Sequence, residues 1–281
     1  KQLVAIRFIE QFRLLRKKEK GRFLLESKFE FAKSLVKQAG QYILDHMEED
    51  LQIETKSSPT DLVTRLDKEV QDFLVDQILS LYPQDSICAE EGCLRASVKE
   101  GAVWVIDPID GTNNFVAQQE DFAIMLAYFE NGQGQFALIY DVVKGDCYHG
   151  GGAFPVCLNE SPLPTFKRKP LGDFLIAANA GMLEKNEWGL ADLGRAALGV
   201  RVYGSAAISF AKILSGCLLT YVTYLQPWDY AAASILGESL GYKVVTLSGQ
   251  ALDFKTRQAV MMVPVEMREE IQSYLYERKE N

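Results

Sequence analysis

The fold is decided by one stretch of the chain, Trp104–Phe115, which reads WVIDPIDGTNNF. Its apolar beginning is typical of a buried strand, and its character changes at Asp107. Pro108 favours an extended Asp107, so we expect the strand to end there with the Asp107 carboxylate in a cleft. A turn through Gly111 into a helix would bring backbone N–H groups beside Asp107 and Asp110. Carboxylates bind hard cations and helix N-termini bind anions, so the stretch predicts a site for a metal-bound phosphate.

The composition limits what kind of metal chemistry this chain performs. With 281 residues and 48% hydrophobic residues, the chain is typical of a globular protein, and it has no apolar run of the ~20 residues that a membrane span needs. Its two histidines, His46 and His149, nearly exclude a multi-histidine zinc site, so oxygen ligands and magnesium or manganese are favoured. Five cysteines without a CxxC pair indicate free thiols in a reducing compartment, and we expect a cytoplasmic protein.

Charge is distributed unevenly along the chain. Residues 1–25 contain eight basic and two acidic residues, although the whole chain carries a net charge of −8. Because an apolar stretch precedes the basic one, residues 1–25 do not resemble a secretory signal. They predict either an amphipathic helix that touches a membrane or partner, or a solvated extension outside the core, which we favour. The acidic remainder argues against nucleic-acid binding by the core.

The pattern of apolar residues predicts interleaved helices and strands. The core would have an α+β half with the metal site at 26–170 and an α/β half that completes the site at 171–281. Helices are expected at 26–45, from a Thr64 cap to Tyr82, from a Ser205 cap to Gly216, from Pro227 to Leu240 and at 266–278. The segment Ser86–Ala89 is expected to be a strand, and Gly150–Gly152 a loop. The class predicted is an α/β layered sandwich with mixed sheets.

Acidic residues stand at the ends of several predicted elements. Glu90 and Glu91 follow one strand, Asp107 and Asp110 follow another, and Asp229 begins a helix. If the fold brings them together, cations must be present for so many carboxylates to remain ionised. Each has a simpler explanation alone, such as a solvated loop, a turn or a favourable helix-dipole contact. A single pocket explains them all, and two or three magnesium ions would suit it.

Four motifs in this order resemble those of the inositol monophosphatase family, from about Glu26 to the C-terminus. They are KSSPTDLVT at 56–64, Glu90-Glu91-Gly92, DPIDGT at 107–112 and WDYAAA at 228–233. The resemblance implies a layered αβαβα sandwich of the sugar-phosphatase type. It also implies a magnesium-dependent, lithium-sensitive phosphomonoesterase that uses a metal-activated water and commonly forms a homodimer. Its substrate would be a small-molecule phosphate monoester such as inositol monophosphate.

The resemblance also implies roles for individual residues. Glu90, Asp107 and the carbonyl of Ile109 would bind one magnesium ion, and Asp107, Asp110 and Asp229 a second. Thr112, paired with Glu90 or Asp61, would orient the attacking water. The phosphate would lie against Asp110 and the backbone N–H groups of Gly111 and Thr112. Gly204, Ser205 and Ala206 match a loop on the substrate side.

The substrate is the least determined of these expectations. Some inositol-specific members of the family have an acidic residue in the strand before Trp228, and residues 219–226 have none. Fructose-1,6-bisphosphatase, 3′-phosphoadenosine 5′-phosphate phosphatase and NADP phosphatase activities therefore remain alternatives. A further alternative is a phosphatase-like scaffold that binds an RNA or a transcription partner through its basic extension.

Overall fold

The computed structural model describes residues 2–56, 58–59 and 61–276, and for residues 2–20 it describes the helical backbone alone. The α-helices are α1 (Gln2–His46), α2 (Arg65–Leu81), α3 (Thr112–Gln118), α4 (Ala180–Glu184), α5 (Leu190–Ala196), α6 (Ala206–Leu214), α7 (Pro227–Ser239) and α8 (Arg268–Gln272). The strands are β1 (Glu54–Thr55), β2 (Leu62–Val63), β3 (Ser86–Ala89), β4 (Ala102–Asp110), β5 (Ala123–Glu130), β6 (Gln133–Asp141), β7 (Asp146–Gly151), β8 (Phe154–Leu158), β9 (Ser161–Pro162), β10 (Leu175–Ala178), β11 (Gly199–Arg201), β12 (Tyr221–Leu225), β13 (Tyr242–Thr246) and β14 (Gln258–Pro264).

Two large sheets divide the molecule into layers. Seven strands form one sheet in the order β3-β4-β5-β6-β7-β8-β9, in which β3 and β4 are parallel and the other neighbours are antiparallel. Five strands form a mixed sheet in the order β11-β10-β12-β14-β13. Side chains alternate between the faces of a strand, so β4 buries Trp104 and Ile106 under α1 and α2 and turns Val103 and Val105 the other way.

The layers follow the order αβαβα, which confirms the predicted class. Helices α1 and α2 cover one face of the seven-stranded sheet, α6 and α7 pack between the two sheets, and α4, α5 and α8 cover the outer face of the five-stranded sheet. The predicted apolar face of α1 is buried throughout, and Thr64 caps α2 through a hydrogen bond that its side chain accepts from the Asp67 amide. Within the described part of the chain, no helix has the length and apolar character that crossing a bilayer would require.

The decisive stretch departs from its prediction in one respect. Strand β4 does not end at Asp107 but continues through Pro108 to Asp110, with a shift in its register against β5 between Asp107 and Asp110. Gly111 then takes a left-handed conformation (φ 91°) and α3 begins at Thr112. A Cβ on Gly111 would lie 3.0 Å from Cβ of Ser205 and 3.1 Å from the carbonyl of Asp121, so the turn needs a glycine for space as well. The bulge allows both carboxylates to be presented from one strand.

Three other expectations differ from the structure. The predicted C-terminal helix at 266–278 is a 3₁₀ turn at Val265–Met267 followed by the short α8, and residues 277–281 lie outside the described residues. Gly150 and Gly151 belong to β7 rather than to a loop. Helix α1 does not begin at 26 but runs back to Gln2. The membrane or partner contact expected for residues 1–25 depends on side chains, and those of residues 1–20 lie outside the described residues. The division at residue 170 stays a prediction.

Candidate active site

Three aspartates from distant parts of the chain meet where the end of β4 lies beside the start of α7. Each of Asp107, Asp110 and Asp229 offers a carboxylate oxygen, and the three oxygens lie within 4.8 Å of one another. Asp107 and Asp110 come from the bulged end of β4, and Asp229 comes from the first turn of α7. The structure therefore brings together the three aspartates that the sequence singled out.

These carboxylates lie in an environment that opposes their own charge. Burial, followed by the charges of Glu90, Asp110 and Asp229, raises the pKa of Asp107 well above its ordinary value. Burial raises the pKa of Asp110 to about 6, and burial together with Glu90 and Asp110 raises the pKa of Asp229. The side-chain Oδ1 of Asp107 is buried without a hydrogen-bond partner among the described residues. A buried acceptor beside two further carboxylates fits a hard divalent cation bound through oxygen.

Glu90 lies beside this cluster because its loop is tied to β4. The Glu90 amide donates to the carbonyl of Ile106 (3.1 Å), one residue before Asp107. The side chain of Glu90 accepts from Nζ of Lys56 at 2.8 Å, and the same ammonium contacts Glu91. Burial alone would lower the pKa of Lys56, but Glu90 and Glu91 outweigh this effect and raise it. A fourth carboxylate thus stands next to the three aspartates with its charge offset by a lysine.

Asp110 is held in place by the beginning of α6. Its Oδ2 accepts from the Ser205 hydroxyl and, at 2.8 Å, from the amide of Ala207, and its Oδ1 accepts from the amide of Ala206 at 3.2 Å. These bonds favour the ionised form of Asp110 and oppose the effect of burial on its pKa. The loop expected on the substrate side therefore lies at the site, and two of its predicted members, Ser205 and Ala206, hold a carboxylate.

Gly204 completes this loop by allowing a close approach. It has a positive φ of 72°, and a Cβ at this position would lie 2.7 Å from Oδ1 of Asn114. Asn114 in turn donates to the carbonyls of Asp121 (2.9 Å) and Tyr203 (2.8 Å). The amide of Asn114 thus links the end of β4 and α3 to the loop that precedes α6, and so joins the two sheets at the site.

Thr112 pairs with an aspartate that the sequence analysis did not assign to the site. Its hydroxyl lies 3.2 Å from Oδ1 of Asp67 and 3.2 Å from the carbonyl of Ile109. Burial raises the pKa of the fully buried Asp67 to about 6. The other oxygen of Asp67, Oδ2, accepts from the amide of Thr64 at 2.8 Å and from its hydroxyl. The sequence signal was the capping motif Thr64-x-x-Asp67, which also favours a purely structural role.

Asp61, which with Glu90 was one of the two expected partners of Thr112, lies in the segment that leads into β2. Its amide donates to the carbonyl of Ser58 (3.0 Å), and its own carbonyl accepts from the amide of Lys56 (2.7 Å). This places Asp61 in the turn that carries Lys56 toward Glu90. The structure thus gives the carboxylate contact with the Thr112 hydroxyl to Asp67.

Asp229 is fixed by the start of α7. Pro227 occupies the first turn of the helix, and the Asp229 carboxylate accepts from the amide of Gln226 at 2.8 Å. Its carboxylate therefore caps the helix and faces Asp107 at the same time. The two explanations that the sequence offered for Asp229, helix stabilisation and membership of the acidic pocket, are both correct.

Comparison with known proteins agrees with this geometry. The family model for the inositol monophosphatase family matches residues 24–280. The chain is 40% identical over 257 residues to the inositol-1-monophosphatase of Bacillus subtilis, covering 89% of this chain and 97% of that protein. It is 29% identical over 227 residues to the fructose-1,6-bisphosphatase/inositol-1-monophosphatase of Thermotoga maritima, covering 79% and 86%.

A solved structure extends the agreement to the fold. The structure of an IMPase/NADP phosphatase complexed with Mg²⁺ and phosphate superimposes with a TM-score of 0.83 at 28% identity, over 89% of this chain and 95% of that one. The layered fold, the ordered motifs and the acidic cluster thus all agree with the family match. The chain belongs to the inositol monophosphatase family, a family of phosphoric monoester hydrolases.

Proposed function

We propose that this protein is a magnesium-dependent phosphatase that hydrolyses inositol monophosphate or a related sugar phosphate. The observation that carries the proposal is the cluster of Asp107, Asp110 and Asp229, in which the buried Oδ1 of Asp107 has no hydrogen-bond partner among the described residues. Such a cluster is stable in its charged form only when a cation neutralises it. The IMPase/NADP phosphatase with Mg²⁺ and phosphate supports magnesium as that cation.

The residues present fit two ions, and we keep a third as open. Glu90, Asp107 and the carbonyl of Ile109 would hold one ion, and Asp107, Asp110 and Asp229 would hold the other. When bound, magnesium supplies charge neutralisation for the phosphate and lowers the pKa of the attacking water. With this chemistry available, the chain needs no histidine base, and both of its histidines lie elsewhere, His46 on α1 and His149 on β7.

The remaining groups position the reactants. The Thr112 hydroxyl donates its proton to Asp67 and can therefore accept a hydrogen bond from the water. We assign the alignment of the water to this pair, rather than to Thr112 with Glu90 or Asp61. The backbone N–H groups of Gly111 and Thr112 are proposed to hold phosphate oxygens where β4 turns into α3. Positioning and charge neutralisation account for most of the catalysis in phosphoryl transfer, so this set of groups is sufficient.

Activity with inositol 1-phosphate and magnesium is the direct test of this function. Purified protein stripped of metal should be inactive, and magnesium chloride should restore turnover. Fructose 1,6-bisphosphate, 3′-phosphoadenosine 5′-phosphate and NADP should be assayed in parallel, because relatives named for two of these activities are similar to this chain. The proposal would be overturned if none of the four compounds released phosphate.

Three further properties belong to the proposal. We expect a homodimer, lithium inhibition and a cytoplasmic location, as the family resemblance and the thiols suggest. The five cysteines are free, and Cys88, Cys147 and Cys157 are buried, which suits a reducing compartment. Light scattering and a lithium titration of the magnesium-activated enzyme test the first two, and cell fractionation tests the third.

A further inference from the structure

A cationic and aromatic group lies at the edge of the site, where β12 leads into α7. We call it the Arg257 platform, and it consists of Trp188, Tyr224 and Arg257. The guanidinium of Arg257 lies 5.4 Å from the centre of the Tyr224 ring. The indole N–H of Trp188 is 3.4 Å from the Tyr224 hydroxyl. Tyr224 and Arg257 are both exposed, so the upper surface of the platform is open to a ligand.

The platform is joined to the metal cluster through short connections. Gln258, which follows Arg257, pairs with Leu225 across β14 and β12. Leu225 lies two residues before Pro227, the first residue of α7. The side-chain oxygen of Gln258 lies 3.4 Å from the hydroxyl of Tyr230, the neighbour of Asp229. Arg257 is therefore anchored near the start of α7, the helix that carries Asp229.

Although the platform lies on the surface, hydrogen bonds fix the backbone that carries it. The Asp253 carboxylate accepts from the amides of Lys255 (2.7 Å) and Thr256 (3.0 Å), which fixes the turn that carries Arg257. Trp188 has a left-handed backbone (φ 55°, ψ 19°), which is uncommon for a bulky side chain. Its carbonyl accepts from the amide of Tyr276 at 3.0 Å, which stabilises this conformation. Such strain is typical of ligand-binding positions.

Arg257 forms no ion pair within the described part of the chain. No described carboxylate lies within salt-bridge distance of its guanidinium, whereas Arg65, Arg168 and Arg195 each pair with an acid. A planar guanidinium with several donors binds phosphate or carboxylate groups in a bidentate manner. Meanwhile β12 offers no carboxylate that would accept hydrogen bonds from the hydroxyls of a neutral polyol. The surface around Arg257 is therefore suited to an anion.

We propose that Arg257, supported by Tyr224 and Trp188, binds a second phosphate carried by the alcohol part of the substrate. The inference rests on the proposed phosphomonoesterase function and narrows its substrate class. The preferred compounds would carry one phosphate over the aspartate cluster and another, which is not hydrolysed, over the platform. A sugar bisphosphate and a nucleotide with two separate phosphates share this chemistry. Arg257 is thus a specificity-determining residue and takes no part in bond cleavage.

Two matched pairs of compounds test the inference with the magnesium-loaded enzyme. Fructose 1,6-bisphosphate is compared with fructose 1-phosphate, and adenosine 2′,5′-bisphosphate with adenosine 2′-phosphate. We expect Arg257→Ala to raise KM for the bisphosphate of at least one pair by about tenfold, since a hydrogen-bonded charge contributes roughly that factor. The kcat of this variant for the bisphosphates should remain unchanged, and so should its kcat and KM for the monophosphates. Arg257→Lys should recover part of the loss, and Lys255→Ala, which removes a neighbouring cation, should have no effect.

The pair that responds identifies the source of the second phosphate. An equal loss for monophosphates and bisphosphates in Arg257→Ala would show a general effect on the site and overturn the inference. An unchanged KM for both bisphosphates would overturn it as well, while leaving the proposed function intact. Absence of magnesium-dependent turnover of all four compounds and of inositol 1-phosphate would instead overturn the proposed function, and the inference with it.

Discussion

The hydroxyl of Thr112 lies 3.2 Å from Oδ1 of Asp67, although the two residues belong to different helices and 44 residues separate them in the chain. Asp67 reaches Thr112 with one carboxylate oxygen while the other caps α2 at Thr64. This double use explains why the residue is fully buried without being isolated. The cap fixes the carboxylate, and the carboxylate fixes the threonine rotamer.

Replacement of Asp67 by Asn is expected to lower kcat by about a hundredfold, the smaller end of the range for a positioned proton acceptor. Asn keeps the shape of the side chain but has only one acceptor oxygen, so it cannot accept from both Thr64 and Thr112, and the hydroxyl loses its orientation. The loss is measured with inositol 1-phosphate at saturating magnesium. Circular dichroism should show that α2 is retained.

Asp61→Asn is the matched control for this variant. It replaces the aspartate to which the sequence assigned the pairing, and we expect nearly normal turnover. A loss in Asp61→Asn as large as that in Asp67→Asn would show that Asp61 acts at the site after all. The pKa of about 6 for Asp67 adds a second readout. Activity of the unmodified enzyme should fall as the pH drops through the pKa of Asp67, because protonated Asp67 no longer accepts from Thr112.

Local signals in the sequence were sufficient to predict the framework. The Thr64 and Ser205 caps, Pro227 at the start of α7 and the strand Ser86–Ala89 appear where the sequence placed them. Each depends on a few neighbouring residues, because a cap or a proline acts within one helical turn. The aspartates of the metal cluster were found for a different reason. Their motifs resemble those of a known family, and the predicted element ends gave each of them a position at a cleft.

Long-range contacts were not accessible from local signals. Asp67 was not assigned to the site, since nothing near it in the sequence indicates Thr112. Ser205 appeared as a helix cap, but its bond to Asp110 arises from the packing of α6 against the end of β4. The strand did not end at Asp107, because a bulge accommodates the following proline, which a regular ladder would exclude. Tertiary structure decided all three.

Replacement of Asp107 by Asn should reduce kcat by at least about 10³-fold, because metal ligation contributes several kcal/mol to such reactions. The metal-free variant should nevertheless be folded and at least as stable as the unmodified protein. Asp107 is buried with an oxygen that has no hydrogen-bond partner among the described residues, so in the absence of metal its charge destabilises the fold. Phosphate release and urea denaturation in a chelator measure the two effects. Near-normal turnover in this variant would show that the site has been misplaced.

The metal-free protein is expected to become more stable as the pH falls from about 7 to about 5. Asp67 and Asp110 have pKa values near 6, and those of Asp107 and Asp229 are also raised, so the folded state binds more protons than the unfolded chain in this range. Stability must then decrease as pH rises. Urea denaturation at several pH values measures the slope. Asp107→Asn should flatten it and magnesium should reverse it. A stability that rises with pH in the chelated protein would contradict the burial of these charges.

Replacement of Ser205 by Ala should affect both stability and metal binding. The hydroxyl donates to Asp110 and accepts from the amide of Ile208 at 3.1 Å, so the variant loses a helix cap and a bond that orients a metal ligand. We expect a loss of about 1–2 kcal/mol in the free energy of unfolding and a higher magnesium requirement. Asn179→Ala is the control, because it removes the cap of α4 without touching Asp110. Equal magnesium requirements in the two variants would separate Ser205 from the metal site.

Replacement of Gly40 by Ala tests how α1 packs on the seven-stranded sheet. A Cβ at Gly40 would lie 2.4 Å from Cε1 of the Tyr140 ring and 3.5 Å from Cγ1 of Val142. Alanine favours a helix by up to about 1 kcal/mol, but overpacking in a core costs about 1–3 kcal/mol, so we expect a net loss of stability. Gly21→Ala in the same helix has no atom of the described neighbouring residues within 4 Å of the new Cβ and should be neutral or stabilising. Both are measured by urea denaturation of the metal-loaded enzyme. An equal gain in stability for the two variants would show that the sheet moves to accommodate the added methyl group. The contact between Gly40 and Tyr140 would then not determine the distance between α1 and the sheet.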